Sequence, residues 1–288
     1  MSGTGRRALV LGATGFLGRH VAARAAVLDG WEVVTASRTP DAADLHLDPS
    51  HEGLRDLLRR LRPSAVVNCA GAVAGGPADL VAGNVTLVAA LADAVRAEGG
   101  RLVHLGSAAE YGRVPEGVPV AESAPPRPVG AYGMTKLAGT ELALRAPGAV
   151  VLRVFNPVGP GAPRASLLGG VAGQLADGAP EIRTGPLGAV RDYVDVRDVA
   201  DAVLAAVTRD VTGVINVGSG TATRSRDLVR ALLTLVPGRA LTEDGEGPAR
   251  SAAVPWQRAD IGTAAAALGW TPATPLDASV RDLWETAC

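Results

Sequence analysis

The chain has 288 residues, 47% of them hydrophobic, and a formal net charge of −1. That is enough apolar material for one large core, or for one core with a smaller lobe attached, and the basic residues do not cluster, which argues against a nucleic-acid or anionic-membrane partner. No apolar run reaches the length expected of a bilayer-crossing helix, and Met1–Arg7 lacks the apolar stretch of a secretory signal.

Short apolar runs then alternate with longer helical patterns, the mark of βαβ units and a parallel sheet. Strands are expected at residues 8–11, 32–36, 65–69, 102–105, 150–155 and 214–217. Helices are expected between them at 16–28, 53–61, 77–97 and 132–145. The strands are nearly continuously apolar, as they must be when helices cover both faces of a sheet. Beyond Asn156 a turn region rich in proline and glycine (157–163) leads into shorter, mixed elements, and 192–207 reads as a strand and helix returning to the first lobe. The predicted fold class is α/β. A Rossmann-like doubly wound parallel sheet takes residues 1–157 with 190–217 returning to it, and 158–189 with 218–288 form a small C-terminal substrate-binding lobe.

Directly after the first strand, Gly12, Gly15 and Gly18 fall three residues apart and open a helix. Glycine is common in this chain, 36 residues of 288, so the spacing alone says little. Its position at a strand-to-helix turn says more, because backbone N–H groups there can approach a pyrophosphate at the positive end of the helix. Thr14, Phe16 and Leu17 lie in the same loop and first turn and are candidate cofactor contacts. The second strand ends in Ser37 and Arg38 with no acidic residue beside them. An acid at this place binds the ribose 2′-hydroxyl of NAD, whereas arginine pairs with the 2′-phosphate of NADP. The cofactor expected is therefore NADP, as NADPH, with NAD the alternative.

Of the 28 basic residues only Lys136 is lysine. A lysine kept in so arginine-rich a chain fits a place where a compact ammonium is required and a planar guanidinium is not. It stands four residues after Tyr132, so the two share one face of a helix. With three tyrosines in the chain, chance gives that spacing about 1% of the time. A neighbouring ammonium favours the phenolate, which suits Tyr132 to pass a proton to or from a substrate oxygen. Ser107 follows the strand at 102–105, at the strand end where open α/β sheets hold ligands, and can hydrogen-bond the same oxygen. The two cysteines, Cys69 and Cys288, offer no disulfide framework, which fits a reducing cytoplasm; Cys69 reads as a small strand residue and not as a nucleophile. The histidines at 20, 46, 51 and 104 lack metal-ligand spacing, so no metal site is expected.

In order along the chain, the segments 12–18, 68–71, 106–112, 132–136, 153–161 and 191–196 resemble the motifs of the NAD-dependent epimerase/dehydratase family. Segments 216–220 and 268–272 carry the likeness nearly to the end. These are extended short-chain dehydrogenases/reductases acting mainly on nucleotide sugars. The resemblance implies that Ser107, Tyr132 and Lys136 are catalytic, with Lys136 also bonding the nicotinamide ribose. It further implies Asp48 near the adenine, Ala70 among the cofactor contacts, and Asn156, Arg191 and Arg250 facing the diphosphate of a nucleotide sugar. It also implies a homodimer, the helix of Tyr132 and Lys136 pairing with 77–97 through Val81, Val85, Val88, Leu91, Leu137 and Leu144.

Two departures narrow the chemistry. Dehydratases of the family carry an aspartate–glutamate pair just after the catalytic hydroxyl residue, and here those positions are Ala108 and Ala109. No cysteine or histidine of the kind that inverts a carbon beside a ketone stands in the Ser107 segment. What remains is hydride chemistry at one carbon. The first reading is NADPH-dependent reduction of a nucleotide-linked keto-sugar such as a 4-keto-6-deoxyhexose, in deoxysugar or antibiotic biosynthesis. The alternatives are a nucleotide-sugar 4-epimerase with retained NAD, a reductase of a non-sugar ketone, and a dinucleotide sensor without chemistry.

Overall fold

Strands with no polar face are stable only when helices cover both sides, and this chain builds that arrangement. The computed structural model describes residues 5–39, 43–244 and 254–287. In chain order its first half comprises β1 (Arg6–Leu11), α1 (Phe16–Ala25), β2 (Trp31–Ser37), β3 (Leu45–His46), α2 (His51–Leu61), β4 (Ala65–Asn68), α3 (Pro77–Val81), α4 (Leu87–Glu98), β5 (Arg101–Ser107), α5 (Ala131–Ala143) and β6 (Val150–Val154). The second half adds β7 (Asn156–Val158), α6 (Leu167–Ala176), β8 (Glu181–Arg183), β9 (Val190–Asp195), α7 (Val196–Thr208), β10 (Gly213–Val217), β11 (Ala222–Arg224), α8 (Ser225–Thr234), β12 (Ala240–Thr242) and a C-terminal helix, Leu276–Glu285.

Seven strands form one parallel sheet in the order β10-β6-β5-β4-β1-β2-β3. The order reverses between β1 and β4, and such a switch opens a crevice at the carboxyl ends of the strands. One face packs Val10, Leu105 and Leu152 against Val199 and Val203 of α7. The other packs Leu9, Leu102 and Val151 against Leu54 and Leu58 of α2 and against α4.

The segment expected as one helix from 77 to 97 is continuous, but it contains a π turn, Ala82–Thr86, between α3 and α4. By length and composition alone it also overturns the expectation that no run could cross a bilayer: within the 22 residues Pro77–Glu98 an 18-residue window has a mean hydropathy of 1.5, and half of that window is buried. Val88 and Leu91, expected to face a second subunit, are instead wholly buried in the protomer's own core. Both observations have one cause: this helix lies between α2 and α5 over the sheet, so its apolar residues serve packing within the chain.

A second core gathers Val158, Leu168, Val171, Ile182, Leu228 and Val280 from α6, α8, the C-terminal helix and the short strands. The strand expected to return to the first lobe, β9, lies instead in a three-stranded sheet with β7 and β11. Only α7 and β10 rejoin the large sheet, α7 packing against α1. Chain from the two cores meets where β6 leads through Phe155 to β7, beside the carboxyl ends of β4 and β5, and the candidate site lies there.

Candidate active site

At the first turn the backbone lies open, with glycines in place of side chains. Gly12 has φ +74°, in the left-handed region, and a Cβ there would come within 2.7 Å of the Ala70 nitrogen. A Cβ on Gly18 would overlap the Gly12 carbonyl. The loop is closed by the Gly15 N–H donating to the Gly12 carbonyl at 3.0 Å. Gly15 is the N-cap of α1, without a side chain to fill the open N–H groups of the first turn. A cradle that any side chain would fill, at an uncapped helix start and without an acid in its first turn, fits the pyrophosphate of a dinucleotide.

Around it, Phe16 and Leu17 are half-buried, and the Thr14 hydroxyl lies 3.0 Å from that of Ser37. Ser37 is buried and accepts from the Thr39 N–H at 3.1 Å, so its hydroxyl holds the end of β2 in place. Arg38 is exposed at that strand end. The Ala70 N–H donates to Asn68 Oδ1 at 3.1 Å. Asp48 is exposed, and its Oδ1 accepts from the Ser50 N–H at 2.9 Å, an Asx turn leading into α2.

Ser107 ends β5 and starts a 3₁₀ turn, Ala108–Glu110, its hydroxyl accepting from the Ala109 N–H at 3.2 Å. The first turn of α5 lies directly on this turn, since a Cβ on Gly133 would come 2.5 Å from the Ala109 carbonyl oxygen. Ser107 and the residues flanking Gly133 are thereby brought to one end of the sheet. Tyr132 is half-buried there. One turn on, Lys136 is 6% exposed and its Nζ donates to the Leu105 carbonyl. Burial pushes the Lys136 ammonium down to about 8, against the opposing charge of Glu110. Burial also pushes the Cys69 thiol up to about 12, so it stays protonated and is no nucleophile at neutral pH. Burial, with Lys136 nearby, keeps the His104 imidazole neutral; its Nδ1 lies 3.0 Å from Asn68 Nδ2.

Two residues that sequence reading missed organise this end. Asn84, in the π turn, is 1% exposed; its Oδ1 accepts from the Ala72 N–H at 2.9 Å, and its Nδ2 donates to the Ala72 carbonyl at 2.8 Å and to Thr135 Oγ1 at 3.1 Å. Glu110 is fully buried and paired with Arg153 at 2.7 Å. Asn84 is a lone asparagine in an apolar helix, and Glu110 lies within the family-like segment 106–112 with nothing local to give it a role apart from Ser107.

On the substrate side, Asn156 Nδ2 donates to the Asp192 carbonyl at 3.0 Å. Arg191 is buried, with Nη1 donating to the Val190 carbonyl at 2.9 Å, and burial pulls its guanidinium below the ordinary arginine value. The Asp192 carboxylate accepts from the N–H groups of Ser219, Gly220 and Ala259. Arg250 lies outside the described residues. Gln257 Nε2 reaches the Ala108 carbonyl at 2.9 Å, tying the C-terminal segment to the Ser107 turn.

Residues 8–218 match the family described as the NAD dependent epimerase/dehydratase family. The chain belongs to that family. Among curated family members it is 41% identical to a dTDP-6-deoxy-L-talose 4-dehydrogenase (NAD(P)(+)) of Kitasatospora kifunensis, over 96% of this chain and 94% of that one. It is 29% identical to a GDP-6-deoxy-D-mannose reductase of Pseudomonas aeruginosa, over 98% of each. Among solved structures it resembles MoeE5 in complex with UDP-glucose and NAD, with a TM-score of 0.85, 26% identity and 98% coverage of each chain. RMD from Pseudomonas aeruginosa complexed with NADPH gives a TM-score of 0.84 with the same identity and coverage. As a family member the chain is an NAD(P)-dependent enzyme of the extended short-chain dehydrogenase/reductase type with a Rossmann-like fold.

The geometry gives a direct expectation. Replacing Tyr132 by phenylalanine removes the proton carrier and leaves the glycine cradle intact, so turnover should fall by about 10²–10⁴ with dinucleotide affinity retained. Lys136→Ala should lower both. Steady-state rates and a fluorescence titration of bound dinucleotide separate the two effects, and near-normal turnover in Tyr132→Phe would overturn the assignment.

Proposed function

We propose that this enzyme is an NADPH-dependent reductase of a nucleotide-linked 4-keto-6-deoxyhexose. The reading is carried by Ser107, Tyr132 and Lys136 standing at a site whose next two residues, Ala108 and Ala109, have no group able to move a proton to or from carbon. Water elimination and inversion beside the ketone both need such a group, whereas reduction of the ketone needs none. The name of the 41%-identical relative supports it, because a 4-dehydrogenase of a 6-deoxy sugar run in reverse reduces a 4-keto-6-deoxy sugar.

The chain's own residues have the following parts. Gly12 to Gly18, with the start of α1, hold the pyrophosphate, and Thr14, Phe16, Leu17 and Ala70 line the channel. Asn156 and Arg191, with Arg250, take the diphosphate of the sugar nucleotide. Bound NADPH supplies a hydride for the carbonyl carbon. Ser107 holds the carbonyl oxygen by a hydrogen bond as charge develops on it. Tyr132 gives that oxygen its proton, so the carbonyl becomes a secondary alcohol, and the Lys136 ammonium makes the phenol a better acid. Arg38, exposed at the end of β2, pairs with the 2′-phosphate. We place the reaction in the cytoplasm, within deoxysugar biosynthesis.

A second reading, nucleotide-sugar 4-epimerisation, is favoured by a 34%-identical UDP-glucose 4-epimerase of Streptomyces lividans covering 70% of this chain. The two differ in what they consume. With a nucleotide-linked 4-keto-6-deoxyhexose, the reductase should oxidise one NADPH per 4-hydroxy sugar formed, with no enzyme-dependent deuterium uptake from solvent at the flanking carbons. An enzyme that carries NAD through purification and equilibrates two hydroxy-sugars without added reductant would replace this reading by the epimerase.

The cofactor choice is tested separately. Arg38→Ala loses a charge-assisted hydrogen bond to the 2′-phosphate, worth about 1.5–3 kcal/mol. The KM for NADPH should rise by that measure while that for NADH barely changes. Equal losses for both would show that Arg38 is not the selector.

We also propose a homodimer through α3, α4 and α5. Its support is the exposed Val81 and Met134, 44% and 55% accessible, next to the half-buried Val85 and Leu137. Sedimentation at micromolar concentration should give twice the 29.1 kDa of the chain, and Met134→Glu with Val81→Glu should return it to the monomer. A wild-type monomer would dispose of the proposal.

A further inference from the structure

Glu110 lies outside the Ser107–Tyr132–Lys136 set, yet its carboxylate bonds to both segments that carry that set. Oε1 accepts from the Ser107 N–H at 2.7 Å. The Thr140 hydroxyl lies 3.0 Å from both oxygens. Thr140 is four residues after Lys136 on α5, hence on the same face one turn along. Arg153 Nε, from β6, donates to Oε2 at 2.7 Å. Gly106 leaves room for the carboxylate: a Cβ there would stand 2.8 Å from Oε1. The strand end, the catalytic helix and the next strand thus meet on one group that is fully out of solvent.

A buried ion pair is seldom needed for stability alone, since apolar side chains of similar volume do as well or better. The arrangement here has a second beneficiary. Lys136 is buried as an ammonium, and groups from every neighbouring element face it. These are the neutral His104 of β5, the Cys69 thiol after β4, Tyr132 on its own helix, and Glu110 with Arg153 behind it. Glu110 is the carboxylate among them. The Arg153 guanidinium, paired with that carboxylate, lies over the Tyr111 ring, 4.6 Å from the centroid.

We infer that Glu110 is a positioning residue of the active site, its buried carboxylate fixing the Ser107 turn against α5 and serving as the counter-charge that keeps Lys136 an ammonium. The role rests on the reading of Ser107, Tyr132 and Lys136 as the site, and not on which sugar is reduced. Without the carboxylate's charge, desolvation disfavours the ammonium unopposed by Glu110, so Lys136 loses its proton at lower pH. The activity that depends on the ammonium is then lost from the alkaline side first and returns as the pH is lowered.

Because Lys136 is the chain's single lysine, protein labelled with ¹³C at the lysine ε-carbon gives one side-chain resonance, and its titration needs no substrate. The wild-type midpoint should lie at about 8. In Glu110→Gln, which keeps the shape, it should fall by about one pH unit or more, and the alkaline limb of kcat should move with it. Glu110→Asp keeps the charge and should titrate as the wild type does, even where its kcat is reduced. A role confined to folding would lower Tm and leave the midpoint where it was, and that result in Glu110→Gln overturns the inference. Should that variant not fold, the double variant Glu110→Gln, Arg153→Met removes both buried charges. Its midpoint is compared with that of Arg153→Met alone: a lower midpoint in the double variant sustains the inference and an equal one defeats it. A failed keto-sugar assay would leave this titration intact, so the two proposals fail separately.

Discussion

Taking a single ammonium out of water costs several kcal/mol even after the surroundings relax, and Lys136, one helical turn from Tyr132, is only 6% exposed. Much of the catalytic half is arranged around that cost. The Leu105 carbonyl at the rim of β5 accepts one of its hydrogens, and Glu110 brings an opposite charge from the turn after Ser107. For the Leu105 carbonyl to reach Nζ, α5 must lie close on the sheet. On another side α5 meets the π turn so closely that a Cβ on Gly139 would stand 2.3 Å from the Asn84 carbonyl oxygen. Packing distance, helix composition and the acidity of the site are therefore one problem with one solution.

The nucleotide end solves a different problem by the same device. A pyrophosphate needs backbone N–H groups, and these are reachable only if no Cβ stands in the way. Gly12 meets the Ala70 backbone and Gly18 meets the Gly12 carbonyl, so α1 starts almost against β1. The same helix then reaches into the second half of the chain. Arg19 donates to the Gly161 carbonyl, His20 Nε2 lies 3.0 Å from the Pro160 carbonyl oxygen, and the Gly161 N–H donates to Thr286 Oγ1 at 2.9 Å. The cofactor helix, the loop after β7 and the end of the C-terminal helix thus form one contact, which fixes where the small lobe stands over the cradle.

The sequence disclosed what has a local period. Continuous apolar strands, the glycine turn at 12–18 and the four-residue step from Tyr132 to Lys136 are local facts, and the structure has each of them. Long-range compensation was invisible. No local period marks Glu110 as buried before β6 places Arg153 beside it, or Asn84 before the loop after β4 folds onto the π turn. Val88 and Leu91 were assigned to a subunit interface because apolar periodicity does not say which neighbour a face will meet. The strand at 190–195 matched the pattern of a main-sheet strand, yet it pairs with β7 and β11, which are too short to announce themselves. Asp48 was placed by family likeness, and in the structure its Oδ1 accepts from the Ser50 N–H in an Asx turn.

The satisfied polar groups also explain why the chemistry is narrow. A carboxylate can act as a base only if its lone pairs are free and its proton affinity is near neutral. Glu110 is bonded to Ser107, Thr140 and Arg153. Burial pushes the Asp192 carboxyl up, but three backbone N–H groups and the Ser219 hydroxyl hold its oxygens. His104 faces the α5 side of β5 as a neutral ring, and Cys69 holds its proton. The two carboxylates are committed to holding the chain. Among the described residues, Ala108 and Ala109, which follow Ser107, carry no group able to move a proton. On the proposed reading of Tyr132 and Lys136, a site so provisioned adds or removes hydrogen across one carbon–oxygen bond, and the contacts that steady Ser107 and Lys136 occupy the polar groups a second reaction would need.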